Sequence, residues 1–219
     1  MIMEKERKQL IDYGKKLVTE KLTKGTGGNL SVFDRNLGYV AITPSGIDFF
    51  EIKDSDIVIL DLNGNIVEGE NLPSSEWQMH LRLYKTRNDI NAVIHAHTTY
   101  STVLACLHEE LPATHYMIAV AGKDVKVANY ATYGTEELAK NAAKAMENRK
   151  AVLLANHGII AGSNDLLNAF NIVDEVEYCS KIHCISKSIG NPVVLPDDEM
   201  ELMEKKFISY GQRKSNKER

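Results

Sequence analysis

The sequence lacks any run of about 20 apolar residues, the length that a membrane-spanning helix requires. Its first segment, residues 1–9, is charged and is not followed by the apolar stretch that makes up the middle of a secretory signal. These two absences argue against a membrane protein and against export through a signal peptide. We therefore expect a protein of the cytoplasm that contacts no membrane.

The sequence also lacks an excess of basic residues, and it has few cysteines. It carries 26 Lys and Arg against 30 Asp and Glu, and the formal net charge of −4 argues against a nucleic-acid partner. A protein of this charge must bind an anionic ligand with local groups. Three cysteines are too few, and odd in number, for a disulfide framework.

The hydrophobic pattern of the 219 residues mixes helices and short strands without a regular strand–helix–strand alternation. Helices are predicted over residues 4–22, 76–87, 99–107, 135–148, 165–188 and 198–210. Strands are predicted over residues 30–33, 39–43, 57–61, 92–97, 151–155 and 159–161. Hairpin signals such as Asn63-Gly64 favour a layered α/β fold with a largely antiparallel sheet. No repeat or low-complexity linker interrupts the chain, so we expect one domain over residues 1–219, with a polar tail over about 212–219.

Two local signals concern helix starts. Thr135 has the position of an N-cap for the fourth predicted helix. Ser75 and Gln78 have the spacing of a capping box at the start of the second predicted helix.

Three histidines form the sharpest feature of the sequence. His95 and His97 flank one alanine in a predicted strand, and the two-residue period of a strand points both imidazoles to the same side. His157 lies in a tight turn between two apolar strands, beside Gly158. Three nitrogen ligands with one open position are typical of a catalytic zinc site, and such a site also accepts Co²⁺ or Mn²⁺. His80 and His183 fall within predicted helices, where a surface or core position is the better interpretation.

Glu76 has two interpretations. As a carboxylate in the first turn of a helix, it would stabilise that helix by roughly 0.3–1 kcal/mol. As a neighbour of a metal site, it would act as a general base, because a metal bound to the oxygens of a hydroxy-ketone acidifies the adjacent C–H. Spacing alone leaves both interpretations open.

Three turns offer groups that bind a phosphate. Glycine exposes backbone N–H groups to an anion, and a helix N-terminus favours negative charge. A Walker motif is absent, so a nucleotide P-loop is excluded. The candidate phosphate-binding residues are Gly28 and Asn29, Ser45 and Gly46, and Ser74 and Ser75.

At these residues the chain resembles the class II aldolase/epimerase family, over about residues 4–213. Within the family it is most similar to the members that cleave L-fuculose 1-phosphate. The stretches that carry the resemblance are GTGGNLS (25–31), ITPSGI (42–47), LPSSEW (72–77), VIHAH (93–97), HYMIA (115–119), YATYGT (130–135) and NHG (156–158).

The resemblance implies a fold, an assembly and a reaction. The fold is a three-layer α/β/α arrangement around a mostly antiparallel sheet, assembled as a homotetramer with active sites shared between subunits. The reaction is the zinc-dependent, reversible cleavage of the sugar phosphate L-fuculose 1-phosphate into dihydroxyacetone phosphate and L-lactaldehyde. Zinc is held by His95, His97 and His157, with Glu76 as the catalytic carboxylate that also touches the metal when no substrate is bound. The six turn residues named above correspond to the family's phosphate site.

The same resemblance assigns three tyrosines. Tyr116 corresponds to a tyrosine that reaches a neighbouring subunit's site and protonates the aldehyde oxygen. Tyr210 corresponds to a C-terminal tyrosine that helps close the site. Tyr133 occupies a position near the aldehyde where the relatives often have Phe, and its added hydroxyl makes the aldehyde preference an open question.

Other members of the family offer alternatives. L-ribulose-5-phosphate 4-epimerases tend to carry Asp in place of Glu76 and an acidic residue near Tyr116, whereas Met117 and Ile118 follow here. Both differences favour an aldolase. Decarboxylases and dehydratases of phosphorylated ketoses remain further alternatives. A non-catalytic interaction module such as the adducin head lacks the full histidine triad, which is present here.

Overall fold

The computed structural model describes residues 1–208, and its strands form one eight-stranded sheet. The strands are β1 (Asn29–Asp34), β2 (Tyr39–Ile42), β3 (Val58–Asp61), β4 (Ile66–Glu68), β5 (Ala92–Ala96), β6 (Lys126–Ala128), β7 (Ala151–Leu154) and β8 (Gly158–Ser163). Their order across the sheet is β4-β3-β2-β1-β5-β8-β7-β6. Every adjacent pair is antiparallel except β6 and β7, which are parallel. The predicted antiparallel sheet is therefore confirmed.

Six helices cover the two faces of the sheet. They are α1 (Glu4–Thr19), α2 (Trp77–Thr86), α3 (Thr99–Leu107), α4 (Glu136–Met146), α5 (Leu166–Ile189) and α6 (Asp197–Ile208). Buried residues of α1, α3, α5 and α6 share one core with the sheet, and buried residues of α2 and α4 share the other. This arrangement confirms the three-layer α/β/α fold. Within residues 1–208, no helix is both long enough and apolar enough to cross a membrane.

Alternation along β5 decides which side chains face which layer. Ala92, Ile94 and Ala96 pack in the core that contains α1, α3 and α5. Val93 packs in the opposite core, with α2 and α4. Because successive strand residues point to opposite faces, His95 shares the side of Val93 and faces the layer that contains α2.

Most predicted elements are confirmed to within a few residues, and the differences have local causes. Strands β4 and β6 have three residues each and were not predicted, nor were two short 3₁₀ helices, Asp54–Asp56 and Tyr116–Val120. The Thr135 cap is confirmed, since its hydroxyl accepts a hydrogen bond from the Leu138 N–H at 3.3 Å. The predicted end of the last helix, Tyr210, and the tail 212–219 lie outside the described residues.

The predicted capping box of Ser75 and Gln78 is wrong. Helix α2 begins one residue later than that box requires, and Glu76 occupies the N-cap position without a side-chain capping bond. Instead, the Glu76 N–H donates to the Ser74 hydroxyl at 3.3 Å. This start leaves the Glu76 carboxylate free to point away from the helix.

Candidate active site

The three histidines predicted to bind a metal lie together at one edge of the sheet. His95 is the next-to-last residue of β5, His97 follows that strand, and His157 lies in the turn between β7 and β8. Their candidate ligand atoms all lie within 4.8 Å of one another. The Nε2 atoms of His95 and His97 are 3.0 Å apart. The structure therefore brings together the side chains that the sequence could not connect.

The hydrogen bonds of His95 decide which of its nitrogens faces the cluster. Its Nδ1 lies 2.9 Å from the backbone carbonyl of Ile159, and a carbonyl only accepts, so the ring carries its proton on Nδ1. The Nε2 lone pair then faces the Glu76 carboxylate at 3.2 Å. Two lone pairs at this distance repel each other unless a positive charge lies between them. A metal-bound histidine also usually donates a hydrogen bond from its remote nitrogen to a carbonyl, as His95 does here.

Glu76 completes the cluster from the N-terminus of α2. Its carboxylate is buried, with Oε2 accepting a hydrogen bond from the Asn29 amide at 2.9 Å. Its other oxygen, Oε1, lies 3.5 Å from His157 Nε2 and has no hydrogen-bond partner among the described residues. Burial alone raises the pKa of the Glu76 carboxyl, but the electrostatic effect of the adjacent His95 and His157 rings and the hydrogen bond from Asn29 outweigh it, so the pKa lies below its usual range. The group is a carboxylate at neutral pH.

The donor set fits a divalent metal ion. Tetrahedral ligands at 2.0–2.1 Å from zinc lie about 3.3 Å from each other. The distance between His95 and His97 is 3.0 Å, and those from Glu76 to His95 and to His157 are 3.2 and 3.5 Å. Burial, together with the close approach of a second imidazole at His95, lowers the pKa of His97 and of His157 to about 4. Both rings are therefore neutral at pH 7 and offer lone pairs. Three neutral imidazoles, with an orphaned carboxylate oxygen beside them, are ligands for zinc or a similar transition metal.

Glycines allow the backbone to approach these rings closely. A Cβ on Gly27 would lie 2.9 Å from Nδ1 of His97, and one on Gly158 would lie 2.5 Å from the Ala96 carbonyl oxygen. Gly28 has φ +79°, and a Cβ there would lie 2.6 Å from the His95 carbonyl oxygen. The glycine-rich loop and the His157 turn are therefore packed against the two ends of the histidine segment.

The three predicted phosphate turns are joined to each other by backbone hydrogen bonds. Pro44 and Pro73 form an isolated antiparallel bridge, which ties the Ser45-Gly46 turn to the Ser74-Ser75 turn. The bonds are Ser45 N–H to Leu72 O and Ser74 N–H to Thr43 O, both 3.0 Å. The first turn is linked in the same way, because the Thr43 N–H donates to the Leu30 carbonyl at 3.0 Å.

All six candidate phosphate residues line one cleft of about 340 Å³, together with Glu76, His97 and His157. His95 lies beneath this surface and is fully buried. Tyr133 also lines the cleft and is 66% exposed. The register of the sheet places the glycine-rich turn, the histidine pair and the His157 turn side by side. Asn29 of β1 pairs with His95 of β5, and His95 pairs with Ile160 of β8.

The other two predicted tyrosines are not part of this cleft's described lining. Tyr116 is 47% exposed and stacks on Phe207 of α6, with ring centroids 6.2 Å apart. Its hydroxyl is therefore available at the surface of the protomer. Tyr210 lies outside the described residues.

Sequence reasoning missed several residues of the site. Thr26, Tyr130 and Asn156 line the cleft, and the resemblance stretches contain all three. Asn156 adopts φ +54°, a left-handed conformation that Asn tolerates, immediately before His157. His80 was interpreted as a surface or core residue. It is fully buried, and it contacts Asn29 with its Nε2 at 2.6 Å from the amide oxygen.

Comparison with known proteins agrees with this site. A 5-deoxy-D-ribulose 1-phosphate aldolase of Bacillus thuringiensis is 52% identical over 213 residues, which cover 97% of this chain and 100% of the relative. An L-fuculose phosphate aldolase of Escherichia coli is 42% identical over 208 residues, covering 94% and 95%. A solved structure of L-fuculose 1-phosphate aldolase matches with a TM-score of 0.94 and 73% identity, covering 95% and 98%.

The family model described as the Class II Aldolase and Adducin N-terminal domain matches residues 8–184. This range includes the histidine triad, Glu76 and the three candidate phosphate turns. Class II aldolases are metal-dependent lyases, and His95, His97 and His157 form a group that can hold a metal ion here. The chain belongs to the class II aldolase and adducin N-terminal domain family.

Proposed function

We propose that this chain is a zinc-dependent aldolase that reversibly cleaves L-fuculose 1-phosphate to dihydroxyacetone phosphate and L-lactaldehyde. The observation that carries the proposal is the single cleft in which the histidine cluster, the Glu76 carboxylate and the three glycine and serine turns meet. The 73% identity to a solved L-fuculose 1-phosphate aldolase supports the choice of substrate. We assign His95, His97 and His157 as ligands, with Glu76 as a fourth when no substrate is bound.

The three turns bind the phosphate of the donor half. Backbone N–H groups of Gly28, Asn29 and Gly46, and hydroxyls of Ser45, Ser74 and Ser75, supply the donors. The N-terminus of α2 adds the positive end of its dipole. Anchoring the phosphate fixes the reacting carbons of the donor in front of Glu76, which reduces the entropic part of the barrier.

A bound zinc ion would polarise the ketone and the neighbouring hydroxyl of the donor, and so acidify the C–H between them. Glu76 moves the proton at that carbon, C3. In cleavage, the C4 hydroxyl gives its proton to Tyr116, the reverse of the donation assigned to that residue below, and becomes the aldehyde. The C3–C4 electron pair passes to C3, which takes a proton from Glu76, so that one proton moves in net from the C4 oxygen to C3. In condensation, Glu76 removes the C3 proton and C3 attacks the aldehyde carbon. The orphaned Oε1 of Glu76 is the atom that we assign to this transfer.

Three tyrosines complete the proposed site. Tyr116 is exposed on its own protomer, as a residue must be if it reaches into the cleft of a neighbour. We assign it as the donor to the aldehyde oxygen, within a homotetramer whose active sites lie between subunits. Tyr133, at the mouth of the cleft, positions the aldehyde, and Tyr210 helps to close the site. Mixing inactive Tyr116→Phe and Glu76→Gln subunits should restore part of the activity, and a failure to do so would argue against a shared site.

A second substrate deserves a direct comparison, because a 52% identical relative is a 5-deoxy-D-ribulose 1-phosphate aldolase. Cleavage of that pentulose would release the same dihydroxyacetone phosphate with acetaldehyde instead of L-lactaldehyde. The two aldehydes differ by one CHOH group, so only the aldehyde end of the cleft distinguishes them. Tyr133 is the cleft residue whose hydroxyl can bond to the extra oxygen of lactaldehyde.

To test this proposal, the zinc-loaded protein is incubated with dihydroxyacetone phosphate and one aldehyde at a time, and the rate of condensation is measured. The aldehydes are L-lactaldehyde, D-lactaldehyde, glycolaldehyde and acetaldehyde. We expect the highest kcat/KM with L-lactaldehyde. Tyr133→Phe should narrow the preference over acetaldehyde by roughly 2–10-fold, the effect of one neutral hydrogen bond. A preference for acetaldehyde would show that the substrate is 5-deoxy-D-ribulose 1-phosphate and not L-fuculose 1-phosphate. Interconversion of pentulose 5-phosphates without any condensation would refute the proposed aldolase activity.

The role of Glu76 has its own test. Glu76→Gln keeps the shape of the side chain but cannot carry a proton to and from carbon. We expect zinc binding to persist and kcat to fall by roughly 10²–10⁴-fold, the usual contribution of a general acid–base group. Turnover at the wild-type rate would return Glu76 to the role of a carboxylate at a helix start.

A further inference from the structure

A row of buried polar side chains lies behind the cleft, between α2 and β1. Glu76, His80 and Tyr84 are spaced four residues apart, so they share one face of the helix. Asn29 and Ser31 alternate on β1 and face that helix. His80 lies between these two, with Nε2 2.6 Å from the Asn29 amide oxygen and Nδ1 2.7 Å from the Ser31 hydroxyl. The Ser31 hydroxyl is also 2.6 Å from the Tyr84 hydroxyl.

The direction of every hydrogen bond in this row follows from the charge of Glu76. A carboxylate only accepts, so Asn29 presents its NH₂ group to Glu76 and its oxygen to His80. His80 must then donate from Nε2, which leaves Nδ1 as an acceptor in the neutral ring. The Ser31 hydroxyl therefore donates to His80, and it accepts from the Tyr84 hydroxyl. All four donors point toward Glu76.

Burial makes this directionality strict. Ser31 and His80 are fully buried, and Asn29 and Tyr84 are at least 95% buried, so water cannot replace a lost partner. Burial is also the main reason that the pKa of His80 falls to about 3, which keeps the ring neutral at working pH. Aligned hydrogen bonds in a medium of low dielectric polarise and strengthen one another.

We propose that His80 is a positioning residue of the aldol reaction: it locks the Asn29 amide so that its NH₂ group holds Oε2 of Glu76 and leaves Oε1 for the reacting carbon. Ser31 and Tyr84 fix the tautomer of His80. This inference rests on the proposed role of Glu76. Without His80, the Asn29 amide can rotate by about 180°, so that its oxygen faces the Glu76 carboxylate. The repulsion between the two oxygens would then move the carboxylate away from the carbon whose proton it transfers.

This role separates turnover from substrate binding. His80 contacts the side-chain amide of Asn29, whereas the Asn29 group assigned to the phosphate is its backbone N–H. A loss of the lock should therefore lower kcat and leave KM nearly unchanged. Residues that orient the ligands of a metal site through hydrogen bonds typically change its activity roughly 10–100-fold when they are replaced. We expect His80→Leu to lower kcat by roughly that factor, with KM within about threefold. His80→Gln retains an N–H at the distance of Nε2, and its kcat should recover to within about fivefold of wild type.

Two further variants complete the kinetic experiment. Tyr84→Phe removes only the hydroxyl at the far end of the row, and it should lower kcat by less than His80→Leu does. His183→Leu is the matched control, because His183 is also a buried helix histidine and its ring nitrogens have no hydrogen-bond partner within residues 1–208. We expect wild-type kcat in that control. Equal kcat in His80→Leu and wild type, or no recovery in His80→Gln, would overturn the proposal.

A spectroscopic measurement tests the same proposal without turnover and covers the case in which His80→Leu fails to fold. The zinc-loaded protein is labelled with ¹⁵N at its seven histidines, and the His80 signal is assigned from its absence in His80→Gln. We expect the neutral tautomer with the proton on Nε2. A proton on Nδ1 would overturn the proposal. A wild-type protein without condensation activity would refute the proposed function, and the tautomer would still decide whether the lock exists.

Discussion

Replacing Gly158 with alanine should weaken metal binding without unfolding the protein. Gly158 opens β8 directly after His157, and a Cβ there would lie 2.5 Å from the Ala96 carbonyl oxygen and 3.1 Å from Cδ2 of His97. The first distance is roughly 1 Å inside van der Waals contact. Because that oxygen belongs to the backbone, the β5–β8 pair must separate locally. His95 lies in β5, and His97 and His157 directly adjoin the two strands, so the separation displaces the proposed ligands.

The size of the effect follows from the tolerance of a metal site. Metal–ligand distances hold to within about 0.2 Å, so even half of the required displacement exceeds the tolerance. We expect affinity for zinc to fall by roughly 10–100-fold, in addition to an overpacking cost of about 1–3 kcal/mol in the metal-free protein. At a free zinc concentration 100 times the wild-type Kd, zinc stabilises wild type by about 2.7 kcal/mol, and a variant with tenfold weaker affinity by about 1.4 kcal/mol.

Two measurements test this expectation. Competition with a chromogenic chelator gives the Kd for zinc, and calorimetry gives Tm with and without zinc. For a chain of this length the zinc-dependent rise in Tm should be about 3–5 °C smaller in Gly158→Ala than in wild type. Gly162→Ala is the matched control on the same strand, since its Cβ would meet only the side chain of Ile90, at 2.9 Å. Equal zinc affinity in the two variants would refute the reasoning.

Two other predictions concern stability. Buried Arg7 donates to the carbonyls of Ile2, Asp54 and Ile57 and pairs with Glu68, so Arg7→Leu should lower the free energy of unfolding in urea by about 3 kcal/mol; a loss below 1 kcal/mol would contradict this account. The pKa of His80 is about 3 in the folded chain and about 6.5 when unfolded, so the unfolded state binds the proton first. Because of this group, the free energy of unfolding of wild type should fall by up to about 1.4 kcal/mol per pH unit as pH falls from 6.5 toward 3. His80→Gln should lack this contribution to the pH dependence. Urea unfolding of both proteins in EDTA measures the difference, and parallel stability–pH curves would count against it.

Local pattern was sufficient for much of the fold and for half of the metal site. The two-residue period of a strand placed His95 and His97 on one side, and the structure confirms that their Nε2 atoms face each other. Likewise, Thr135 caps α4 because its hydroxyl accepts a hydrogen bond from the N–H of Leu138, three residues further along the chain, which is a local relation. The layers also follow from local alternation, with apolar residues of β5 pointing to both faces.

Short elements escaped prediction because their stability comes from contacts distant in sequence. Strand β6 has three residues and exists because it pairs with β7, 25 residues or so further along the chain. The capping box at Ser75 was wrong for a similar reason. The bridge between Pro44 and Pro73 fixes the approach to α2, and it makes Glu76 the N-cap.

By itself, the sequence determined which residues have the chemistry: imidazoles in pairs on a strand, carboxylate at a helix start, and glycine where the backbone must come close. Only the tertiary structure decided which of these residues lie next to each other. Register across β1, β5 and β8 places Asn29 beside His95 and brings His157 to the same edge. The spacing of Glu76 and His80 on α2 was visible in the sequence, but its meaning depends on β1 lying beneath that helix. Strand pairing is non-local, so a pattern read within one segment shows which way a side chain points and not what it meets.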